Sequence, residues 1–394
     1  MRDLSNFDFV DVSKFPSATL SEVMNLNARS IWIQQGSENR QFLRRRPDIH
    51  DDPDKVKLFG DLSTRIVDYP PIALISESEV KLVGFRTFLT KDNRFFNDQI
   101  FTNNDELTRY LSKLSHEDEF QNEKTKLRRI NETGFEFQQG QRQEVFIDEK
   151  VIVICSDEPN NYGSFLFRVL PKLALRLLVV SDYKILVPGV SSSIKEILSK
   201  AGIEQERIIS HNPEIVYHLN HALIPTLRNP QAYLDESSLG LYRSISGFDN
   251  GRKDPSRVFV SREGLASTRS GYRRMVNAEE VIHAVEQLKF KIIRPEEISI
   301  SEQISIFSSS QIVVGQSGAG MFNVVFCRPG TIIVDIESEP NWIHAHMCLF
   351  SSLNLRYVVF EGVADRSCGR EIHFPFRVNT SALVHRLSSL LAET

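Results

Sequence analysis

At 394 residues the chain is too long for one ordinary hydrophobic core, so its length predicts two or three domains. Hydrophobic residues make up 41% and charged residues 25% of the sequence, which excludes a disordered or fibrous protein. The formal net charge of −4 argues against a protein that binds duplex nucleic acid, because such proteins need a basic surface.

The cysteines and the apolar segments bear on the cellular compartment. There is no C-x-x-C pair, so we expect buried or free thiols at the four cysteines, Cys155, Cys327, Cys348 and Cys368. The start of the chain lacks the apolar stretch of a signal peptide, and the most apolar run, FLFRVLPKLALRLLVV, is interrupted by three basic residues. We therefore expect no transmembrane segment and a cytoplasmic protein.

Residues 1–145 are predicted to form an irregular α+β segment that packs with the domain after it. Charge runs such as Arg44-Arg45-Arg46 alternate here with short strand-like pieces, for example Pro71–Ile75 and Lys81–Leu89. The sequence Phe95-Phe96-Asn97-Asp98, between two apolar runs, predicts a hairpin turn.

Residues 146–250 are predicted to form a first Rossmann-like domain. The run VIVIC at 151–155 is typical of a strand buried on both faces, and the apolar positions after it recur at helical spacing around Pro171. A strand (YKILVPG) and a helix (SSSIKEILSKAGI) follow, and a further helix is predicted at about Tyr233 to Ser246. This alternation is how a parallel sheet is built.

Residues 251–365 show the same alternation more clearly and predict a second Rossmann-like domain. Five apolar runs read as strands: RVFVS, FKIIR, QIVVG, TIIVDIE and LRYVVFE. Capping boxes at Asn277 with Glu280 and at Ser299 with Glu302 predict the starts of two helices. Residues 366–394 predict a closing amphipathic helix. The predicted fold class is α/β, with two Rossmann-like halves that face a cleft.

The most informative loop is Gly315-Gln316-Ser317-Gly318-Ala319-Gly320, between a buried strand and a helix. In an open parallel sheet, ligands bind beyond the carboxyl ends of the strands. Glycines let the backbone approach a ligand, and free N–H groups at a helix start favour an anion. The loop is not G-x-G-x-x-G, and a tight turn packed on its neighbours accounts for it equally well.

A group of arginines follows the first strand of the second domain: Arg262, Arg269, Arg273 and Arg274. The group should lie at the same sheet edge as the glycine loop. Guanidinium groups neutralise a leaving diphosphate without a metal ion, although such a cluster is more commonly a solvated basic loop.

Metal sites have little support in the sequence. The two D-x-D-like pairs are Asp52-Pro53-Asp54, which holds a rigid proline, and Asp335-Ile336-Glu337, which lies within a predicted strand. His344 and His346 are two positions apart on a predicted helix and should point apart. We predict no metal ion and no cofactor.

Three stretches resemble blocks of one family. Asn161–Leu173, NYGSFLFRVLPKL, resembles the N-Y-x-H-W-L-x-D-x-L-P-R-L block of glycosyltransferase family 61. Ser261-Arg262 with Arg273–Glu280 is similar to its S-R…R-R-x-x-N-E-x-E segment, and Gly315–Thr331 to its G-P-H-G-A-G-L-T-N…F-x-P-P-G-T block. The resemblance implies a GT-B-type fold, a nucleotide-sugar donor, a glycan or polysaccharide acceptor, and metal-independent inverting transfer. Bacterial members are linked to capsule and other surface-polysaccharide synthesis.

The chain departs from these blocks at positions where the family has ionisable groups. Ser164 and Ser317 stand in place of histidines, Arg168 in place of an aspartate, and Ala278 in place of an acid. Inverting transfer needs a general base, and serine cannot replace histidine in that role.

Either Asp157 or Glu158 is therefore the expected base, with a pKa raised by partial burial at a strand end. The alternative is that both acids cap the helix that follows them. The residues and the resemblance together predict catalytic roles for Asp157, Glu158, Asn161 and Ser164, and donor-binding roles for Arg262, Arg273, Gly315, Ser317, Gly318, Ala319, Gly320, Asn323 and Asp335.

Three functions remain open at the level of sequence. The first is an active glycosyltransferase with a modified site. The second is a catalytically impaired relative that binds a nucleotide sugar or a partner enzyme. The third is another two-Rossmann enzyme that acts on polysaccharide precursors, such as a pyruvyl- or phosphotransferase.

Overall fold

The computed structural model of the chain describes residues 6–25, 27–37, 40–49, 64–114, 123–130, 134–137, 142–229, 232–247, 256–263, 273–338, 343–367 and 374–393. These residues form a mixed α/β fold with a large mixed sheet and helices. The chain divides into two compact units: Met1–Gln41 with Asp68–Pro230, and Phe42–Val67 with Gln231–Thr394. The first 67 residues thus contribute to both units.

The N-terminal elements are mostly short strands. In chain order they are β1 (Asn6–Phe9), the 3₁₀ turn Val12–Lys14, α1 (Leu20–Asn25), β2 (Ser30–Ile33), β3 (Arg40–Arg44), β4 (Asp48–Ile49), β5 (Arg65–Tyr69), β6 (Ala73–Val83), β7 (Thr87–Leu89), β8 (Arg94–Phe96), α2 (Asn104–Lys113), β9 (Leu127–Arg129) and β10 (Gly134–Phe137). The rest of the first unit alternates strand and helix: β11 (Glu144–Val153), a helical stretch from Tyr162 to Ala174, α3 (Arg176–Val180), β12 (Lys184–Pro188), α4 (Ser192–Lys200), the 3₁₀ turn Gln205–Arg207, β13 (Ile208–His211) and β14 (Val216–Pro225).

One sheet runs through the first unit, in the order β13-β12-β11-β14-β6-β7-β8-β1-β10-β9, with β2 also paired to β6. The four strands β11 to β14 are parallel, as the alternating pattern predicted. Strand β6 pairs antiparallel with β14. The N-terminal strands therefore extend the same sheet, which becomes a mixed sheet. Val151, Val153 and Leu186 are completely buried in its core beside Ile75 of β6.

The predicted hairpin turn at Phe95–Asp98 is wrong. Phe95 and Phe96 lie in β8 and are buried. The hairpin turn between β7 and β8 comes earlier, where Asn93 adopts φ +56° and Thr90 bonds Arg94. The aromatic run belongs to the strand because its side chains fill the core.

The helix predicted around Pro171 is not a regular α-helix. A single turn at Tyr162–Ser164 leads into a π-helix, Phe165–Val169, and then a 3₁₀ helix, Leu170–Ala174. Pro171 has no N–H, so it cannot donate to the carbonyl of Phe167 four residues earlier. The side-chain amide of Asn229 donates to that carbonyl instead, and Arg228 donates to the carbonyl of Pro171 at 3.0 Å.

The second unit contains, after β4, the elements α5 (Glu236–Ser246), β15 (Ser256–Val260), α6 (Ala278–Gln287), β16 (Lys291–Ile293), the 3₁₀ turn Pro295–Glu297, α7 (Ile300–Ser309), β17 (Ser310–Gln316), the 3₁₀ helix Ala319–Phe326, β18 (Ile332–Glu337), α8 (Ile343–Ser352), β19 (Arg356–Glu361), β20 (Val363–Ala364), β21 (Phe376–Arg377) and α9 (Thr380–Ala392). The five strands predicted from apolar runs are confirmed as β15 to β19.

The sheet of the second unit has the order β16-β15-β17-β18-β19-β4, and every neighbouring pair is parallel. Its first five strands follow the 2-1-3-4-5 order of doubly wound folds. Strand β4, from residues 48–49, adds a sixth strand beside β19. The strand order reverses between β15 and β17, which places the switch point of the fold at the ends of these two strands.

The two predicted capping boxes behave differently. Ser299 caps α7 and accepts a hydrogen bond from the N–H of Glu302 at 3.2 Å, as predicted. Helix α6 begins directly after Asn277, but the Asn277 side chain makes no cap bond. Its oxygen accepts from the N–H of Val378 at 3.0 Å, and its amide donates to the carbonyl of Val378. The Asn277 side chain therefore binds a segment distant in sequence instead of capping the helix.

Two composition-based expectations can be compared with the described residues. Cys155, Cys327 and Cys348 are buried free thiols, as predicted, and Cys368 lies outside those residues. None of the helices in the described part of the chain has the length and apolar character of a membrane-spanning helix.

Candidate functional site

The glycine loop and the arginine after β15 meet at the switch point of the second unit. Arg262 Nη1 donates to the carbonyl oxygen of Ser317 at 2.8 Å, so the two loops share one sheet edge as predicted. Gly318 has φ +152°, and a Cβ there would lie 2.6 Å from Arg262 Nη1. The glycine therefore leaves room for the guanidinium group against the loop.

The other residues of the glycine loop differ in how tightly they are packed. A Cβ on Gly315 would lie 2.7 Å from the Met321 sulfur, so this glycine is required by close packing. Asn323 is completely buried, and its amide donates to Gln303 Oε1 at 2.8 Å and to the Gly320 carbonyl at 3.2 Å. Ala319 and Gly320 are partly exposed. Asn323 thus holds the loop on α7.

The remaining arginines of the predicted cluster do not act together. Arg273 is buried with φ +49°, and its Nη2 lies 3.2 Å from Glu337 Oε1. Arg274 is exposed, and Arg269 lies outside the described residues. Arg273 therefore forms an ion pair with Glu337, whereas Arg262 contacts the glycine loop.

A buried group of ionisable side chains lies at the end of β18. Asp335 Oδ2 accepts from His346 Nδ1 at 2.5 Å and from the Tyr357 hydroxyl at 3.2 Å. Burial and the neighbouring Asp335 carboxylate raise the pKa of Glu337 to about 7, although Arg273 and His346 oppose this rise. Sequence reasoning considered Glu337 and His346 only as metal ligands and gave them no role, although the D-x-E spacing in β18 already placed both acids on one strand face.

The expected divergence of the two histidines in α8 is confirmed. His344 is exposed and its Nδ1 lies 3.2 Å from Arg44 Nη1, whereas His346 is buried beside Asp335. The other D-x-D-like pair, Asp52-Pro53-Asp54, lies outside the described residues.

At the carboxyl end of β11, in the first unit, Asp157 lies between two arginines. Its Oδ1 is 3.1 Å from Arg168 Nη1, and its Oδ2 is 4.0 Å from Arg86 Nη2. Burial acts to raise the pKa of Asp157, but Arg86 and Arg168 outweigh it and lower the pKa to about 2. The expected raised pKa is therefore wrong for Asp157, because the guanidinium groups stabilise its charged form.

Glu158, Asn161 and Ser164 form a small network beside Asp157. Asn161 caps the helical turn after it, accepting from the Ser164 N–H at 3.2 Å, and donates from Nδ2 to Glu158 Oε2 at 3.2 Å. The buried Ser164 hydroxyl lies 3.3 Å from that of Ser156. Asn161 is thus the helix cap, and Glu158 holds the side chain of that cap.

An ion-pair network beneath this edge was not predicted from the sequence. Lys172 and Asp98 are both buried and form an ion pair, and Lys172 also donates to the Cys155 carbonyl at 2.6 Å. Arg86 Nη1 lies 2.7 Å from Asp98 Oδ1. The network joins β11 and the stretch after it to the N-terminal strands, and pairings over such separations leave no local sequence pattern.

Residues 162–334 match the family described as Glycosyltransferase 61. This match, which covers 173 of the 394 residues, identifies a glycosyltransferase family 61 domain in the chain. The chain is accordingly a glycosyltransferase, with a donor substrate and an acceptor substrate. No curated protein matches the sequence.

The family 61 match runs from the helical turn after Asn161 into β18, and it includes both loop regions described above. Arg168, within the matched residues, binds Asp157 through its guanidinium group. Ser164 and Ser317, also within the matched residues, are both buried.

Proposed function

We propose that the chain transfers a sugar from a nucleotide-sugar donor to a glycan or polysaccharide acceptor, with inversion, in bacterial surface-polysaccharide synthesis. The contact between Arg262 and the Ser317–Gly318 loop is the observation that supports this most. It brings a guanidinium group and a glycine backbone together at the switch point of a doubly wound sheet, where ligands of such folds bind. The guanidinium would neutralise the donor diphosphate as it leaves.

Arg262→Ala tests the donor site. Loss of a charged hydrogen bond to the diphosphate should weaken nucleoside-diphosphate binding by about 1.5–3 kcal/mol. Arg262→Lys should restore only part of the affinity, because an ammonium group cannot form the planar fork. Arg274→Ala, an exposed arginine of the same region, is the matched control and should bind normally. If calorimetry gives Arg262→Ala the same affinity for the nucleoside diphosphate as the natural chain, Arg262 does not bind the donor.

We propose Glu158 as the general base. In an inverting transfer the acceptor hydroxyl oxygen attacks the anomeric carbon, the bond to the nucleoside diphosphate breaks, and the hydroxyl proton passes to the base. Glu158 is partly exposed and is hydrogen-bonded to the neutral amide of Asn161. Asp157, with its low pKa and its two arginine neighbours, is the weaker proton acceptor, and we assign it to positioning Arg168 and Arg86.

Glu158→Gln and Asp157→Asn separate these two roles. Glu158→Gln should lower the transfer rate by roughly two to four orders of magnitude, the usual value of a general base, and leave donor affinity unchanged. Asp157→Asn should lower the rate less than about tenfold, because a partly exposed ion pair contributes little. Initial rates with a panel of nucleotide sugars provide the measurement. A large loss in Asp157→Asn together with a small loss in Glu158→Gln would reverse the assignment.

A further inference from the structure

Three polar atoms that lack a hydrogen-bond partner gather at the end of β17 and β18. Among the described residues, Asp335 Oδ1, Glu337 Oε2 and Ser317 Oγ are buried without such a partner. The Ser317 hydroxyl nevertheless lies close enough to the Glu337 carboxylate to stabilise its charged form. Native proteins leave few buried polar atoms unpaired, and a bound water or ion is one explanation for such atoms.

A nitrogen ligand completes the group. His346 of α8 is 1% exposed, and ligand atoms from His346, Asp335 and Glu337 all lie within 4.8 Å of one another. Asp335 and Glu337 are two positions apart in β18 and share one strand face. Binding an ion through His346 Nδ1 would replace the bond of this nitrogen to Asp335 Oδ2, whereas Tyr357 continues to hold that oxygen and Asp335 Oδ1 stays available.

The charge of the group favours a cation. Asp335 and Glu337 carry two negative charges when ionised, and Arg273 compensates one of them through Glu337 Oε1. His346 must be neutral to bind a metal ion, and in that form it leaves a formal charge of −1 on a group whose two carboxylates and imidazole are 0–2% exposed. Buried charges in proteins are usually paired or bind a metal ion.

We propose that Asp335, Glu337 and His346 bind one divalent transition-metal ion, with Ser317 beside it. A nitrogen ligand with two carboxylates suits zinc or manganese better than magnesium or calcium, which prefer oxygen ligands alone. Ligand atoms around zinc stand about 2.0–2.2 Å from the ion, so the three side chains close by roughly 1 Å around it. The ion would join β17, β18 and α8 next to the loop in which the Ser317 carbonyl accepts from Arg262, and its binding can be measured without donor or acceptor.

Zinc titration of the full chain tests the proposal directly. After dialysis against a chelator and removal of that chelator, calorimetry should show one zinc equivalent bound. Zinc and manganese should raise the melting temperature, whereas magnesium and calcium should not. A natural chain that binds no zinc or manganese in calorimetry, and whose melting temperature neither ion changes, overturns the proposal without any variant.

Variants then locate the ion. Glu337→Gln and Asp335→Asn should weaken zinc binding by more than about a hundredfold, which exceeds the usual loss for an outer-shell partner. Tyr357→Phe, which removes only the hydrogen bond to Asp335, should weaken it by roughly 10–100-fold. Glu279→Gln and His283→Ala change exposed residues of α6 and are the controls. Equal zinc affinity in Glu337→Gln and Glu279→Gln would place the ion elsewhere. If Glu337→Gln does not fold, Tyr357→Phe is the variant that tests the site. Unchanged zinc affinity in Tyr357→Phe would contradict zinc binding at Asp335.

Discussion

At the residue scale, the backbone at Gly318 determines where the Arg262 guanidinium lies. The φ of +152° is a conformation that side-chain-bearing residues rarely adopt, and the space of a Cβ is already filled by the Arg262 side chain. Gly320, two residues later, is less crowded, because a Cβ there would lie 3.4 Å from Pro295 Cγ, an ordinary contact. Glycine is therefore required at position 318 of the loop, whereas position 320 has room for a methyl group.

Gly318→Ala should displace Arg262 and weaken nucleoside-diphosphate binding by about tenfold or more, which corresponds to about 1.4 kcal/mol. Gly320→Ala should leave the affinity unchanged, since its new methyl group makes only van der Waals contacts. Calorimetric titration of both variants with the same nucleotide is the measurement. Equal affinities would show that the guanidinium position is unimportant for binding.

Part of this site was predictable because parallel strands carry their loops to one edge. Arg262 and Ser317 each follow an apolar strand, and their contact follows from that rule. The pairing of Arg273 with Glu337 was not predictable, because it depends on a turn at φ +49° whose direction the residue types do not specify. Asn323 was predicted as a donor ligand from the resemblance, whereas its bonds to Gln303 and Gly320 are visible only in the packed structure.

At the element scale, the stretch from Phe165 to Ala174 changes from π to 3₁₀ geometry at the proline. A π-helix bonds residues five apart, and here the Leu170 N–H donates to the Phe165 carbonyl. The carbonyl of Phe167, which Pro171 cannot satisfy, accepts from Asn229 shortly after β14. The stretch between β11 and β12 is therefore held by a residue 62 positions later in the chain.

Asn229→Ala should destabilise the chain by about 1–3 kcal/mol, because it leaves the buried Phe167 carbonyl without this donor. Asn104→Ala changes an exposed amide in α2 and should stay within about 0.5 kcal/mol of the natural chain. Urea unfolding followed by circular dichroism compares the two variants. A loss in Asn229→Ala no greater than in Asn104→Ala would mean that the carbonyl finds another donor.

The elements that sequence patterns predicted best are the central parallel strands. The apolar runs in β11, β15, β17, β18 and β19 are continuous because both of their faces are covered. The N-terminal strands were predicted only in part, as pieces at Pro71–Ile75 and Lys81–Leu89, because their partners are remote: Ala73 to Val83 pairs with residues 216–225, and Asp48–Ile49 is a strand only because β19 lies beside it. No local period records such pairings.

At the scale of the whole molecule, buried histidines make the first unit sensitive to acid. Burial lowers the pKa of His211 from 6.5 to about 4, with a hydrogen bond to the Gly84 backbone in partial opposition. Burial and the Lys150 charge lower the pKa of His221 to about 4 as well. Both histidines are neutral when folded and gain a proton more readily when unfolded, so stability is fully present above pH 6.5 and is lost as the pH falls towards 4.

His211→Gln should flatten the acid branch of the stability profile. At about pH 5 the natural chain should lose roughly 2 kcal/mol through His211 relative to about pH 7.5, and the variant should lose that much less. The measurement is the urea midpoint at both pH values for the natural chain, His211→Gln and the exposed control His385→Gln. The same pH dependence in all three proteins would show that the pKa of His211 is the same in the folded and unfolded states.

The contribution of β4 to the sheet of the second unit has a consequence for biosynthesis. Asp48 and Arg356 form an ion pair across 308 positions of the chain, and β4 has no partner in that sheet until β19 has been made. At about 5–20 residues per second, β4 must wait roughly 15–60 s on the ribosome for that partner. Throughout this interval the nascent chain carries a strand segment with open backbone hydrogen-bonding groups. Ribosome pausing before residue 356 would prolong the exposure, so codon choice far downstream should affect the yield of folded protein.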